Sequence, residues 1–134
     1  MAVIQPMPTQ NGSNSLIDFI EELSLKHKNE NNRYILPLER AIHLFSLYGP
    51  MINYYFKKKS PIFKNLNRIY PGLGEIRTKE CRYFIYDTGE NGIYIGLHGY
   101  EKQSQEIPRN EILKAKGEIQ RWNEMYRQTL NHLA

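Results

Sequence analysis

Between Leu73 and Tyr100 the chain carries three short runs rich in β-branched and aromatic residues, at about 73–79, 81–87 and 92–100. Asp87-Thr88-Gly89-Glu90-Asn91-Gly92 separates the last two with the residue types of a hairpin loop. Three strands joined by connections this short suit a mostly antiparallel sheet. A sheet of that kind has one face for a core and leaves the other for water or a ligand.

The flanking sequence supplies the covering elements. Residues 2–7 suit a short strand, and Gln10-Asn11-Gly12-Ser13 a turn. Ser15 is placed to cap a helix over roughly 15–28, with Asp18 three residues on and Leu16, Ile20 and Leu23 at helical spacing. A second helix carries Ile35, Leu38, Ile42 and Phe45 on one face, starts near Pro37 and ends at Gly49-Pro50. The short polar link between the two predicts an antiparallel helical hairpin. Residues 51–72 have no clear period. Pro108 opens a long final helix in which Ile112, Ala115, Ile119, Trp122, Tyr126 and Leu133 form an apolar stripe suited to a sheet face. Gly117 costs that helix about 1 kcal/mol relative to alanine. The expected order is β-α-α-β-β-β-α, an α+β fold in one domain over 1–134.

The 134 residues include a single cysteine, so no internal disulfide forms, and a reducing cytoplasm is the default. No apolar run approaches a membrane span, and the N-terminus lacks the features of a signal peptide. The net charge of +4 is unevenly placed. Residues 51–134 hold fourteen Lys/Arg against nine Asp/Glu, and Lys57 to Arg82 alone hold eight against two. Such a local field attracts polyanions, although a solvated basic surface is an equal alternative from charge alone.

Alternation sorts the strand residues. In the last strand Ile93, Ile95, Leu97 and Gly99 should face the core. Tyr94, Gly96, His98 and Tyr100 then face outward, and Lys102 continues their row. Leu73, Glu75, Arg77 and Lys79 share a face. Arg82 lies with Phe84 and Tyr86, but Tyr83 and Ile85 are as apolar, so the pattern does not say which side is core.

Metal-free RNA cleavage needs a base for the 2′-hydroxyl, an acid for the leaving oxygen, and cations for the transition-state charge. Arg77, Arg82, Lys102, His98 and Tyr100 are the candidate catalytic set. Lys57, Lys58, Lys59, Lys64, Lys79 and Tyr94 are candidate RNA contacts, since arginines and lysines grip phosphate and tyrosines stack on unpaired bases. No His/Asp/Glu cluster has ligand spacing, so no metal or other cofactor is expected. Each residue also has a bland role. His98 suits a structural hydrogen bond, Arg77 a surface ion pair with Glu75 or Glu80, Arg82 a buried structural cation, and Cys81 a small core residue.

The same residues resemble the phage-derived, HigB-like branch of the RelE/ParE toxin superfamily. The resemblance rests on several motifs in matching order. They are Asn11-Gly12-Ser13 before the Leu16–Ile20 helix start, Tyr48-Gly49-Pro50, Glu75-Ile76-Arg77, and Arg82-Tyr83-Phe84-Ile85-Tyr86. The most specific is Leu97-His98-Gly99-Tyr100-Glu101-Lys102 running to Pro108, with Glu111 and Ala115 opening the final helix. The family's paired lysines are here Lys102 followed by Gln103, and residues 51–70 are longer than expected.

The resemblance implies a RelE-like fold and a toxin of a type II toxin–antitoxin system. Such a toxin cuts mRNA on the translating ribosome without a metal. A helix-turn-helix antitoxin neutralises it, and operator DNA is bound only through that complex. It also implies Arg77, Arg82 and Lys102 as phosphate and transition-state ligands, with His98 and Tyr100 for proton transfer or stacking. Two alternatives stay open: a non-enzymatic gyrase inhibitor of the ParE type, or a weakened toxin acting as co-repressor with its antitoxin.

Overall fold

The computed structural model describes residues 1–57 and 60–133, with side chains described up to residue 126. The sheet is built from β1 (Val3–Pro6), β2 (Phe63–Asn65), β3 (Leu73–Arg77), β4 (Cys81–Asp87) and β5 (Ile93–Glu101). The helices are α1 (Ser15–Lys26), α2 (Ile35–Tyr48), α3 (Ile52–Tyr55) and α4 (Arg109–Leu133), with a 3-10 turn at Gly49–Met51. The α+β class holds, but the order gains α3 and β2, both inside the stretch without a period. Asn53 explains why they form. Its side chain donates to Phe63 O at 2.6 Å and accepts from Ile62 N at 2.9 Å, tying α3 to the start of β2. A strand of three residues is too short to show alternation.

The strands lie in the order β1-β5-β4-β3-β2. β1 runs parallel to β5, and the other neighbours are antiparallel. One sheet face carries Ile76, Tyr83, Ile85 and Tyr94 into a core with Phe19 and Leu23 of α1, Leu38 and Phe45 of α2, and Ile52 of α3. Ser15 does not cap α1. Asn14 does, its Oδ1 accepting from Leu16 N and Ile17 N. Ser15 is buried and donates instead to Gly96 O at 2.8 Å, with Tyr83 Oη 2.9 Å away. Pro37 stands in the first turn of α2, where its missing N–H costs nothing. Gly49 closes α2 with φ +61° and donates its N–H to Phe45 O.

The decisive irregularity is in β5. Tyr83 pairs with Gly99 but Ile85 pairs with Gly96, so Leu97 and His98 together stand opposite Phe84. This is a β-bulge, and the extra residue reverses the facing of everything beyond it. The simple alternation expected along this strand is therefore corrected. Tyr94 and Gly96 face the helices, while Ile95 and Leu97 share the opposite face with His98 and Tyr100. Gly99 returns to the helix side. A Cβ at Gly96 would collide with the Tyr83 ring, and one at Gly99 with the Phe19 ring, so both positions need glycine.

The chain divides into two compact units, Met1–Gln103 and the residues from Ser104 onward. The second is essentially α4, in which the Trp122 and Tyr126 rings stack at 5.3 Å. Leu133, expected on the apolar stripe, lies outside the described side chains. Among the described residues no helix is long and apolar enough to cross a membrane.

Candidate functional site

The facing of Arg82, undecided by pattern, is settled by pairing. Arg77 pairs with Arg82, and Arg82 with Tyr100, so the three stand in one row across β3, β4 and β5. Paired residues project from the same face of a sheet. Glu75 and Phe84 form the next row on that face, with Lys64 of β2 opposite Glu75. Arg82 thus lies on the face opposite the helical layer of α1 and α2.

Glu75 is the centre of this group, and the sequence reading gave it no role beyond an ion pair. It is fully buried. Tyr100 Oη donates to its Oε2 at 3.1 Å. Its Oε1 lies 3.2 Å from Arg77 Nε and 3.6 Å from Arg82 Nε, without hydrogen-bond geometry to either. Burial raises the Glu75 carboxyl above the usual carboxylate range, while Tyr100, Arg77, Arg82 and Lys64 pull it back. Burial also lowers the Arg82 guanidinium, and the neighbouring Arg77 adds to that. Arg82 Nη1 donates to Thr78 O and to Cys81 O, the latter at 2.9 Å, which fixes the side chain along the β3–β4 turn. Arg77 is the more accessible of the two arginines, with 18% of its side chain exposed against 7% for Arg82. The signal for Glu75 was its two-residue offset from Arg77, which puts both on one face.

His98 is buried with its ring edge-on to Phe84 at 5.2 Å, and Tyr100 leans on the same ring at 5.4 Å. The bulge thereby brings His98 and Tyr100 to the arginine face from consecutive turns of the pleat. Lys102 follows β5, half-buried, its N–H donating to Glu80 O at 2.8 Å. Its position continues the Tyr100 row past the end of the strand. The structure thus brings together Arg77, Arg82, Tyr100 and Lys64 around Glu75, with His98 on the same face beyond Phe84. The expected open face is not open here, because Glu75, Arg82, Phe84, Leu97 and His98 are all buried.

The other candidates separate. Tyr94 is corrected: it is buried on the helix side, T-shaped against Phe45 at 5.1 Å, and burial raises its hydroxyl above the usual range. Lys79 is exposed in the β3–β4 turn, and Lys57 is exposed between α3 and β2. Lys58 and Lys59 lie outside the described residues. Cys81 is buried, and its thiol is pushed up to about 12 by desolvation, which makes it a poor nucleophile. Among the described residues no three His, Cys, Asp or Glu side chains converge as metal ligands.

A second ionic group sits at the far end of β5, on the helix side. Glu101 accepts from Lys26 Nζ at 2.8 Å and lies 2.6 Å from His27 Nε2. The His27 ring stacks on Tyr34 at 3.7 Å, and Arg33 reaches from beside Tyr34 to Glu80 at 3.2 Å. This group ties the α1–α2 connection to the strand ends that carry Tyr100 and Arg82.

Comparison with protein-family models and with curated proteins gives no match.

Proposed function

We propose that this chain is the toxin of a type II toxin–antitoxin pair, and that it acts as an endoribonuclease on mRNA during translation in the cytoplasm. The observation that supports this reading is the carboxylate–arginine–tyrosine cluster, in which Glu75 lies against Arg77, Arg82 and Tyr100 on one sheet face. The motif resemblance drawn from the sequence supports it independently. In this reading the cognate partner is a helix-turn-helix antitoxin, and the fold is of the RelE type.

The chemistry follows from the group. In this scheme the Glu75 carboxylate, raised by burial, is the general base for a ribose 2′-hydroxyl. Arg77 and Arg82 carry forked donors for the non-bridging oxygens, whose charge grows in the transition state. Tyr100, which donates to Glu75, and His98, edge-on to Phe84, would supply the proton for the leaving 5′-oxygen. Lys64 and Lys102 extend the cationic face along the substrate backbone. No step in this scheme calls on a metal.

A second reading is favoured by the full burial of Glu75. In it the Glu75–Arg82 pair is a structural strut, and Arg77 and Lys64 alone meet RNA. One experiment separates the two. Purified protein is added to a cell-free translation reaction and mRNA 5′ ends are mapped by primer extension, with Glu75→Gln and Arg77→Gln proteins alongside. The nuclease reading expects new ends inside the reading frame that both substitutions suppress. Cleavage that survives Glu75→Gln but not Arg77→Gln selects the strut. Intact mRNA with folded wild-type protein rejects both, and DNA breaks in gyrase reactions would then identify a gyrase inhibitor.

A further inference from the structure

From Arg40 to Gly74 the chain runs for thirty-five residues without an aspartate or glutamate, and six lysines or arginines fall in that stretch. Its middle carries a cluster of rings that the fold leaves outside. Tyr54 is 67% exposed, Tyr55 60% and Tyr48 38%. The rings touch one another in series. Tyr54 meets Tyr55 edge-on at 5.3 Å, Tyr55 leans on Tyr48 at 5.1 Å, and Tyr48 meets Phe56 at 5.1 Å.

The cluster sits on a fixed base. Ile52 of α3 is fully buried in the core, and Asn53 anchors α3 to the start of β2 through three hydrogen bonds. Exposed rings held in place by buried neighbours do not serve the fold, and contiguous exposed apolar surface of this kind marks an interaction site. The flanking charge selects the partner. Lys57 and Arg68 are exposed on the same stretch of sequence without acids, and exposed tyrosines flanked by cations suit a polyanion with unpaired bases.

We propose that α3 and its flanks form a binding surface for single-stranded nucleic acid. Tyr54, Tyr55 and Tyr48 stack on unpaired bases, and Lys57 and Arg68 hold the phosphates. The surface is distinct from the Glu75 row, since α3 lies with the helical layer while Glu75 faces the other side of the sheet. Lys64 on the edge strand β2 stands opposite Glu75 and belongs to that other face. The proposal does not depend on cleavage. If the nuclease reading holds, this surface grips the strand beside the cut.

The test is fluorescence anisotropy with the full chain and a labelled oligouridylate, the matching oligodeoxyuridylate, and an RNA duplex. Replacing Tyr54 and Tyr55 together by alanine lowers single-strand affinity about tenfold or more, the cost of losing base stacking. Replacing both by phenylalanine keeps the ring faces and stays within about twofold of wild type. Lys57→Gln with Arg68→Gln lowers the salt slope, whereas the alanine pair leaves it unchanged. Both tyrosines are more than half exposed, so circular dichroism should confirm that the variants fold as wild type does. The Arg77→Gln protein retains the tyrosine-dependent part of binding whether or not cleavage occurs, which keeps the two proposals separable. Tighter binding of RNA than DNA would add a 2′-hydroxyl contact, and equal binding would leave stacking alone, both within the proposal. Unchanged affinity in the alanine pair would overturn it. So would equal binding of the duplex, or ring-dependent self-association with no oligonucleotide bound.

Discussion

Two carboxylates of this sheet, Glu75 within β3 and Glu101 at the end of β5, both lie among cations and respond in opposite ways. Glu75 lies among Arg77, Arg82 and Tyr100, and its carboxyl is raised. Glu101 lies among Lys26 and His27, and its carboxyl is lowered. Burial pushes both upward, and it is the first cause at each site. Two things differ: Glu75 is fully buried while Glu101 keeps 21% of its side chain exposed, and the hydrogen-bond geometry is unlike. Glu101 has a lysine amine at 2.8 Å and an imidazole nitrogen at 2.6 Å on its two oxygens. Glu75 has one neutral phenol, while its guanidinium neighbours stand at 3.2 and 3.6 Å without aligned N–H groups. Charge proximity alone does not stabilise a buried carboxylate; aligned donors do. Glu101 is therefore a clasp for the strand end, and Glu75 a buried carboxylate whose ionised form its neighbours only partly compensate.

The comparison breaks most directly at Glu75. On the nuclease reading, Glu75→Gln lowers cleavage by about 10²–10⁴-fold, the usual worth of a general base. Wild-type activity should rise with pH through a value above 4.5, the ordinary carboxylate figure, and then level off. The residual activity of the variant should lack that acid limb. Glu101→Gln should keep the limb unchanged. A profile that stays the same in Glu75→Gln would remove Glu75 from the chemistry.

Stability sharpens the contrast next. Arg82→Ala leaves a fully buried carboxylate short of a partner and should cost about 3–5 kcal/mol in urea unfolding. Changing both members, as Glu75→Gln/Arg82→Gln, should recover much of that loss. This makes Arg82→Ala a poor probe of catalysis, because its loss of growth arrest would be confounded with unfolding. Lys26→Ala, at the exposed clasp, should leave the midpoint nearly unchanged. An Arg82→Ala protein as stable as wild type would show that Glu75 is protonated or hydrated at neutral pH.

A smaller effect tests the bulge that separates the two sites. Gly99→Ala drives a methyl into the Phe19 ring and should cost about 1–3 kcal/mol. Tyr94→Phe, on the helix side, should leave RNA cleavage intact, contrary to the contact role that simple alternation gives it. A cleavage defect in folded Tyr94→Phe would reject the bulged facing.

Much of this was legible in the sequence, and the failures have physical reasons. The long helices and the three central strands follow from periods of 3.6 and 2 sustained over several repeats. Arg77, Arg82 and Tyr100 were named from residue type, and pairing brings them into one row. Nothing in Gly96-Leu97-His98-Gly99 marks which residue is extra, so Tyr94 was placed on the wrong face while His98 and Tyr100 fell on the right one. Asn14 and Ser15 are both good caps, and the choice is made by Tyr83 and the Gly96 carbonyl, more than sixty residues away. The burial of Glu75 is likewise a property of the assembled sheet. Residues 51–70 held α3 and β2 in pieces too short for a period to appear.

The smallest expected effect is also the cleanest discriminator between the two carboxylates. Glu101 is lowered in the folded chain, so its contribution to stability is fully present above the ordinary carboxylate value and is lost as pH falls through the lowered one. Glu75 is raised, so ionising it costs the folded chain more than the unfolded chain, and its contribution declines as pH rises through the raised value. Urea midpoints across that range, taken as wild type minus Glu101→Gln and wild type minus Glu75→Gln, should slope in opposite directions. The Glu101 difference should be small, because Lys26 is exposed and salt screens it. Added salt should flatten the Glu101 slope and leave the Glu75 slope nearly intact, since Glu75 and Arg82 are shielded from counterions by burial. Parallel slopes would mean that Glu75 is as well satisfied by its arginines as Glu101 is by its lysine and histidine, and the case for a reactive carboxylate would fall.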